Sequence, residues 1–171
     1  EKSPAELVEE ALDHPINSLP LEELVKGKRN MVIITSDHTR PMPSKVTLPI
    51  LLRRIRAVNP TIDITILIAT GFHRAMTHDE MVHRFGEDIV NNEKLINHDS
   101  EDAENMVEIG TLPSGGKCVI NRLAVETELL ISEGLINPHF FAGFSGGRKS
   151  VLPGVASKVT VLANHCAEFI E

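Results

Sequence analysis

Two short apolar runs rich in β-branched residues constrain the fold of this chain more than any other feature. They are "NMVIITSD" (30–37) and "IDITILIATG" (62–71), and each ends in polar or glycine-containing sequence. Such runs are typical of strands that are buried on both faces. Between them, "PSKVTLPILLRRIRAVNP" (43–60) has the apolar spacing of an amphipathic helix, which Pro49 is expected to kink. The pattern predicts parallel strands joined by a helix.

Further predicted elements continue this alternation along the chain. Thr77 and Glu80 form a capping box for a helix that Gly86 is placed to end. The remaining elements are a first helix at 5–14, a β-hairpin at 106–122 around Pro-Ser-Gly-Gly, a strand within 126–136 and a last helix at 156–170. This order predicts an α/β, Rossmann-like fold, in which a mostly parallel sheet is flanked by helices and carries a β-hairpin insertion.

Composition excludes several classes of protein. The 171 residues, 42% of them hydrophobic, suffice for one domain with a real core. The 17 basic and 24 acidic residues give a net charge of −7, which argues against nucleic acid as a partner. No leader and no apolar run of about 18 residues is visible, which argues against a membrane partner and favours a cytoplasmic location. Cys118 and Cys166 lie far apart and are expected to be free thiols.

The two ends of the sequence predict that it is a piece of a longer protein. It begins at Glu1 without a methionine, and it closes on "VLANHCAEFIE" without a capping glycine or proline. We therefore expect residues 1–171 to form one domain of a larger chain.

Polar side chains collect where the predicted strands end. The three segments are "TSDHTRP" (35–41), "ATGFHR" (69–74) and "EGLINPHFFAGFSGGRK" (133–149). Ligands of open parallel sheets bind at the carboxyl ends of the strands, so these segments are expected to face one crevice. Two interpretations of Asp37 and Arg40 stay open. They could form a turn closed by an ion pair between them, or they could belong to a binding site.

Most of the histidines have a structural interpretation. His78 and His83 are five residues apart, which does not stack side chains on one face of a helix, so both are expected to face solvent. His14 and His38 are interpreted as structural, and the pattern leaves His98 open between a turn and the rim of the crevice. His73, directly after a strand end, is kept as a candidate for function.

The glycine-rich stretch "GFSGGRK" (143–149) approaches the phosphate-binding template G-x-x-x-x-G-K-[ST] without matching it. Gly147 arrives one position early, and no acidic magnesium ligand follows on a strand, so the sequence argues against a nucleotide triphosphatase. Adjacent glycines let backbone N–H groups approach an anion, so Ser145, Gly146 and Gly147 are expected to bind a phosphate. Lys149 could contact that anion or act as a nucleophile, and nothing in the sequence decides between the two.

The segments "DHTRP" (37–41), "ATGFHR" (69–74) and "INPHFFAGFSGGRKSVLPG" (136–154), followed by "NH" (164–165), resemble the N-terminal domain of the nickel-dependent lactate racemase family. The resemblance runs across nearly the whole chain. It implies a nickel pincer nucleotide cofactor, pyridinium-3,5-bisthiocarboxylic acid mononucleotide with nickel, and so assigns the phosphate to a mononucleotide. It also implies a C-terminal domain that closes the cleft and is absent from this chain.

The resemblance further implies roles for single residues. Lys149 matches the lysine that can join covalently to the cofactor, and His165 matches the protein ligand of nickel. His73 and His139 match the two acid/base histidines, whereas Asp37 and Arg40 match polar residues near cofactor and substrate. The implied reaction is racemisation or epimerisation of a 2-hydroxy acid, foremost lactate, by reversible hydride transfer.

Two other functions remain open on the sequence alone. His73, His139 and His165 could form a catalytic zinc site of a hydrolase, although zinc leaves the glycine-rich stretch and Lys149 without a role. Alternatively, the domain could bind a mononucleotide without catalysing a reaction.

Overall fold

A computed structural model describes residues 1–139 and 143–164, without the side chain of His139. Its helices are α1 (Pro4–Asp13), α2 (Leu21–Leu24), α3 (Ser44–Val58), α4 (His78–Phe85), α5 (Glu87–Asn92), α6 (Arg122–Glu126) and α7 (Lys158–Asn164). Its strands are β1 (Asn30–Ser36), β2 (Asp63–Ala69), β3 (Lys94–Asn97), β4 (Met106–Thr111), β5 (Lys117–Asn121), β6 (Leu130–Ser132), β7 (Pro138–His139) and β8 (Gly143–Phe144).

Four strands form a parallel sheet in the order β3-β2-β1-β6. Ile33 at the centre of β1 pairs with Ile66 on one side and with Ile131 on the other. β4 and β5 form a separate antiparallel hairpin, and β7 and β8 form a short two-stranded ladder. The predicted α/β fold with a parallel sheet and a hairpin insertion is therefore confirmed.

Both faces of the sheet are covered, which explains why its central strands are apolar throughout. Along β1, Met31 and Ile33 pack into one core cluster with helices α3 to α5, whereas Val32 and Ile34 pack into a second cluster with β5, α6 and α7. Successive side chains of a strand point to opposite faces, so a sheet with two buried faces needs apolar residues at every position.

The helix boundaries follow the local signals of the sequence. The capping box of α4 is present: the Thr77 hydroxyl accepts from the Glu80 N–H at 3.3 Å, and the Glu80 carboxylate accepts from the Thr77 N–H at 2.8 Å. Gly86 ends the helix with a φ of 92°, a conformation that favours glycine. α3 continues through Pro49, and the kink expected there stays a prediction.

Some elements differ from the sequence predictions. β3 and α6 were not predicted, since each is only four or five residues long. The strand expected within 126–136 is only three residues long, and α7 begins at Lys158, two residues later than expected, with 165–170 outside the described residues. Within the described ranges, no helix is long and apolar enough to cross a membrane.

Candidate functional site

A cavity of about 420 Å³ opens at the carboxyl ends of β1 and β2, a size typical of sites for small molecules. Its walls come from the segments after β1 and β2 and from the glycine-rich segment that leads to α7. The lining residues that bear polar side chains are Ser36, Asp37, Thr39, Arg40, Thr70, His73, Ser145, Lys149, Ser150 and Asn164. The cavity lies where a parallel sheet is expected to bind its ligand.

Asp37 and His73 form a hydrogen-bonded pair in this cavity. The Asp37 Oδ2 atom lies 2.6 Å from the His73 Nδ1 atom. The Asp37 side chain is 2% exposed and the His73 side chain 47%, so the carboxylate is buried behind a ring that reaches solvent. Because an ionised carboxylate only accepts hydrogen bonds, Nδ1 is the protonated nitrogen in a neutral ring. The other nitrogen, Nε2, is then the basic one.

The other carboxylate oxygen of Asp37 is held by the next residues of its own loop. Asp37 Oδ1 accepts from the Thr39 N–H at 3.0 Å and from the Thr39 hydroxyl at 2.6 Å. This Asx-type turn and the bond to His73 satisfy both oxygens of the buried carboxylate. Asp37 thus forms a turn that is closed by Thr39 and not by the expected pair with Arg40, and the same carboxylate contacts His73 in the cavity.

The backbone of the β2 end is fixed to the opposite wall of the cavity. The His73 N–H donates to the Thr70 carbonyl at 2.8 Å, and the Gly71 N–H donates to the Gly154 carbonyl at 3.0 Å. Gly71 has a φ of 55°, which turns the chain sharply after β2. These bonds hold His73 against the segment that ends in Gly154.

The glycine-rich segment approaches neighbouring backbone very closely. A Cβ atom at Gly146 would lie 3.1 Å from the Leu135 carbonyl oxygen, and one at Gly154 only 2.2 Å from the Ser150 carbonyl oxygen. The Ser145 hydroxyl donates to the Leu135 carbonyl at 2.6 Å, and the Ser145 N–H donates to the Asn137 carbonyl at 2.8 Å. A side chain would clash at Gly154, and at Gly146 it would be crowded and strained by a φ of 73°, so both glycines shape the wall that carries Lys149.

Two cationic side chains face the cavity from different walls. Arg40 comes from the segment after β1, and Lys149 comes from the short 3₁₀ turn Gly147–Ser150. Arg74, next to His73 in sequence, is instead bound to Glu80 through two bonds of 2.5 and 2.7 Å. That ion pair lowers the pKa of the Glu80 carboxyl to about 2. Arg40 and Lys149 thus place positive charge on the walls of the cavity.

The structure brings together most of the residues predicted for the site. Asp37, Arg40, His73, Ser145, Gly146 and Lys149 all line the cavity. Gly147 is exposed and is not among the lining residues. The backbone of His139 lies in β7, but its side chain and the whole of His165 are outside the described residues. In the part of the chain that the structure describes, no three His, Cys, Asp or Glu side chains are grouped to hold a metal ion.

The other histidines are placed outside the cavity. His98 is 2% exposed; its Nδ1 lies 3.1 Å from the Asn121 amide nitrogen, and its Nε2 lies 3.0 Å from the Ala156 carbonyl oxygen. Burial lowers the pKa of this ring, so the neutral form is favoured and both nitrogens are satisfied. His98 is therefore a structural residue and not part of the rim, whereas His78 and His83 are exposed as predicted.

Sequence reasoning missed several residues that shape the cavity. Ser150 and Gly154 follow the predicted glycine-rich loop, and Thr39 lies between the two predicted residues Asp37 and Arg40. Only Thr39 could have been found, because a hydroxyl two positions after an aspartate is a common partner in an Asx-type turn.

Sequence comparison finds known proteins that are similar to this chain. The family model described as the lactate racemase N-terminal domain matches residues 1–171. A lactate racemase of Lactiplantibacillus plantarum is 63% identical over 168 residues, and one of Thermoanaerobacterium thermosaccharolyticum is 60% identical over 169 residues. These matches cover 98% and 99% of this chain, which spans 40% of the length of each relative.

Solved structures match as well. The lactate racemase apoprotein of Thermoanaerobacterium thermosaccharolyticum superimposes with a TM-score of 0.95 at 60% identity, over 98% of this chain and 40% of that one. A Thermotoga maritima protein from a structural genomics effort superimposes with a TM-score of 0.74 at 26% identity, over 94% of this chain and 40% of that one.

Proposed function

The chain belongs to the lactate racemase N-terminal domain family, and on that premise we propose that it is the catalytic and cofactor-binding part of an enzyme that interconverts the two enantiomers of a 2-hydroxy acid, foremost lactate. Because the chain spans 40% of its curated relatives, the activity is proposed for the longer protein that carries it. A C-terminal domain of that protein is the proposed partner that closes the cavity.

The pair of Asp37 and His73 is the observation that carries this proposal. Racemisation of a 2-hydroxy acid by hydride transfer removes the hydroxyl proton while the hydrogen on the 2-carbon departs as hydride, and it then returns both. Histidine is the side chain most often used for such proton transfer, and Asp37 at 2.6 Å fixes the tautomer in which His73 Nε2 can accept that proton. After proton transfer, the same carboxylate stabilises the imidazolium.

A racemase needs a second base for the opposite enantiomer, because the two hydroxyl groups reach different sides of the site. His139, which follows Pro138 at the start of the glycine-rich loop, is proposed for that role from its position in the sequence. Arg40 on the cavity wall is proposed to bind the substrate carboxylate through its planar, forked donors.

The residues of the cavity fit a mononucleotide cofactor. The backbone at Gly146 and Gly154 approaches neighbouring backbone closely. Ser145 and Lys149, near these glycines in sequence, line the cavity. We propose that Ser145, Gly146 and Gly147 hold the phosphate, that Lys149 is the point of covalent attachment, and that His165 is the protein ligand of nickel. When bound, the nickel pincer nucleotide would supply the acceptor for the hydride from the 2-carbon of the substrate.

The composition of the loaded protein tests this proposal. The full-length protein should be produced together with the enzymes that make the cofactor, and its intact mass and metal content should be measured. We expect about one nickel per chain and a covalent mass increase that Lys149→Ala abolishes. Lys158→Ala is the matched control, because Lys158 pairs with Glu101 at the surface and lies outside the cavity. Zinc without a mass increase, or neither metal, would overturn the proposal in favour of a hydrolase or a binding module.

A further inference from the structure

The loop of residues 37–42 carries Asp37, Thr39 and Arg40, and its internal hydrogen bonds join only neighbouring residues of the loop. Thr39 and Arg40 are exposed. Inside the loop, Thr39 donates twice to the Asp37 carboxylate, at 3.0 and 2.6 Å. The Met42 N–H donates to the Arg40 carbonyl at 2.9 Å, and the Arg40 N–H donates to the Asp37 carbonyl at 3.4 Å, which is long. These bonds shape the loop but do not join it to other elements, so its position relative to His73 also depends on what holds its two ends.

Arg84 of α4 holds both ends from one side. Its guanidinium donates through Nη2 to the Asp37 carbonyl at 3.2 Å and through Nη1 to the Met42 carbonyl at 2.8 Å. A planar group with fixed donor directions thus sets the separation of the first and the last residue of the loop. Neither nitrogen is bound to a carboxylate in these two contacts, so Arg84 is used here as a spacer and not as an ion-pair partner.

Glu133 holds the same loop from the interior. Its side chain is buried, and its Oε1 atom accepts from the hydroxyls of Thr35 and Ser44, each at 2.5 Å. Thr35 lies two residues before the loop and Ser44 two residues after it, so one carboxylate oxygen joins the flanks of the loop. The second oxygen accepts from the Thr47 hydroxyl in the first turns of α3.

The backbone of Glu133 is fixed as well. Its N–H donates to the Ile34 carbonyl at 3.0 Å, continuing the bonds between β1 and β6. The three hydroxyls of Thr35, Ser44 and Thr47 donate to its two carboxylate oxygens, and an amide would replace one of these acceptors by an NH₂ donor. Neither Glu133 nor Arg84 lines the cavity, so any effect on chemistry must pass through the loop.

We propose that Arg84 and Glu133 are positioning residues that hold the carboxylate of Asp37 on the Nδ1 atom of His73. The bond between these atoms is 2.6 Å long, and a displacement of about 1 Å would carry it beyond hydrogen-bonding distance. The relevance of this placement to catalysis rests on the proposed function, whereas the placement itself can be tested without it.

The test compares Arg84→Lys and Glu133→Gln in the full-length protein. Lysine keeps the charge but lacks the planar fork that contacts both carbonyls, and glutamine keeps the shape but replaces one acceptor oxygen by an NH₂ donor. Matched controls are Arg56→Lys and Glu93→Gln, since the Arg56–Glu93 pair is another buried-carboxylate contact, with bonds of 2.6 and 2.7 Å, away from the cavity. The side chain of Glu93 is 6% exposed, so this control also alters a carboxylate that is largely shielded from solvent.

The main readout is the tautomer of His73, from ¹⁵N shifts of protein labelled at histidine and measured at about pH 9, where an ordinary histidine is neutral. His73→Gln assigns the signal. We expect Nδ1–H in the parent and in both controls, and a shift toward Nε2–H in Arg84→Lys and Glu133→Gln. In loaded enzyme, kcat should fall by about 10-fold to 100-fold while KM changes little.

The tautomer of His73 tests this proposal even if the protein shows no racemase activity. A parent-like Nδ1–H signal in Arg84→Lys would overturn it, as would an equal shift in the controls. Arg84 is partly exposed, so its variant remains informative if Glu133→Gln does not fold. If the tautomer shifts as expected but the loaded parent does not racemise a 2-hydroxy acid, only the proposed function is contradicted.

Discussion

Substitution of Gly154 by alanine should destabilise the protein through a steric clash, chiefly with the backbone of Ser150. The added Cβ atom would lie 2.2 Å from the Ser150 carbonyl oxygen and 3.0 Å from the Ala69 Cβ atom. Real Cβ contacts are not closer than 3.0 Å, so the chain must move by at least the difference, 3.0 − 2.2 = 0.8 Å. The contacted atom belongs to the backbone of the same cavity wall, so no flexible side chain can relieve the overlap.

The magnitude follows from three contributions. Overpacking of this kind costs about 1–3 kcal/mol. The movement also threatens the bond from Gly71 N–H to the Gly154 carbonyl, which contributes about 0.5–1.5 kcal/mol. Restriction of the unfolded chain by alanine offsets about 0.4–1 kcal/mol. The free energy of unfolding should therefore fall by about 2 kcal/mol, which for a domain of this size lowers Tm by about 4–8 °C.

Denaturant titration of the parent and of Gly154→Ala measures this difference. Gly86→Ala is the control, because Gly86 has open space around it but a φ of 92°, so that it tests backbone strain without a clash. We expect both variants to lose stability, and only Gly154→Ala to weaken binding of phosphate at the cavity. If Gly154→Ala were within about 0.5 kcal/mol of the parent, the close packing of this wall would be wrong.

Three further outcomes are expected. Inorganic phosphate should shift the amide resonances of Ser145, Gly146 and Gly147, and unchanged resonances at saturating phosphate would contradict an anion site there. Because burial lowers the pKa of His98, the unfolded state binds a proton on this ring at a higher pH than the folded state does. Below about pH 6.5 the free energy of unfolding of the parent should therefore fall more steeply than that of His98→Gln, by up to about 1.4 kcal/mol per pH unit. Parallel curves of stability against pH would contradict this. The 171-residue chain alone should not racemise lactate even when it carries the cofactor, since one wall of a water-poor cleft is proposed to lie in the C-terminal domain. A rate equal to that of the full-length protein would contradict this role of the C-terminal domain.

The fold and most of the candidate site could be predicted from the sequence because the patterns that indicate them are local. Apolar runs that end in polar loops predicted β1 and β2, and the carboxyl-end rule for parallel strands then placed Asp37 and His73 in one crevice. By contrast, β3 has the sequence "KLIN", which is too short and too polar to stand out, and it becomes a strand only because β2 offers it an open edge.

The remaining features depend on tertiary contacts that no local pattern encodes. Arg84 lies on the predicted helix at 78–85 and resembles any solvent-facing arginine, but its position on α4 lets it reach two carbonyls of the 37–42 loop. Glu133 follows a short strand, and its three hydroxyl partners come from β1 and α3, more than 80 residues away in sequence. The metal-binding role of His165 and the acid/base role of His139 stay predictions.

The fate of the hydrogen on the 2-carbon tests the central proposal most directly. Loaded full-length protein should be incubated in H₂O with L-lactate that carries deuterium at that carbon, and the D-lactate formed should be analysed by mass spectrometry. We expect D-lactate that retains the deuterium, because a hydride does not exchange with water, and a rate about 10²–10⁴-fold lower in His73→Gln. D-lactate that has lost its deuterium to solvent, or a His73→Gln variant as fast as the parent, would contradict hydride transfer assisted by the Asp37–His73 pair.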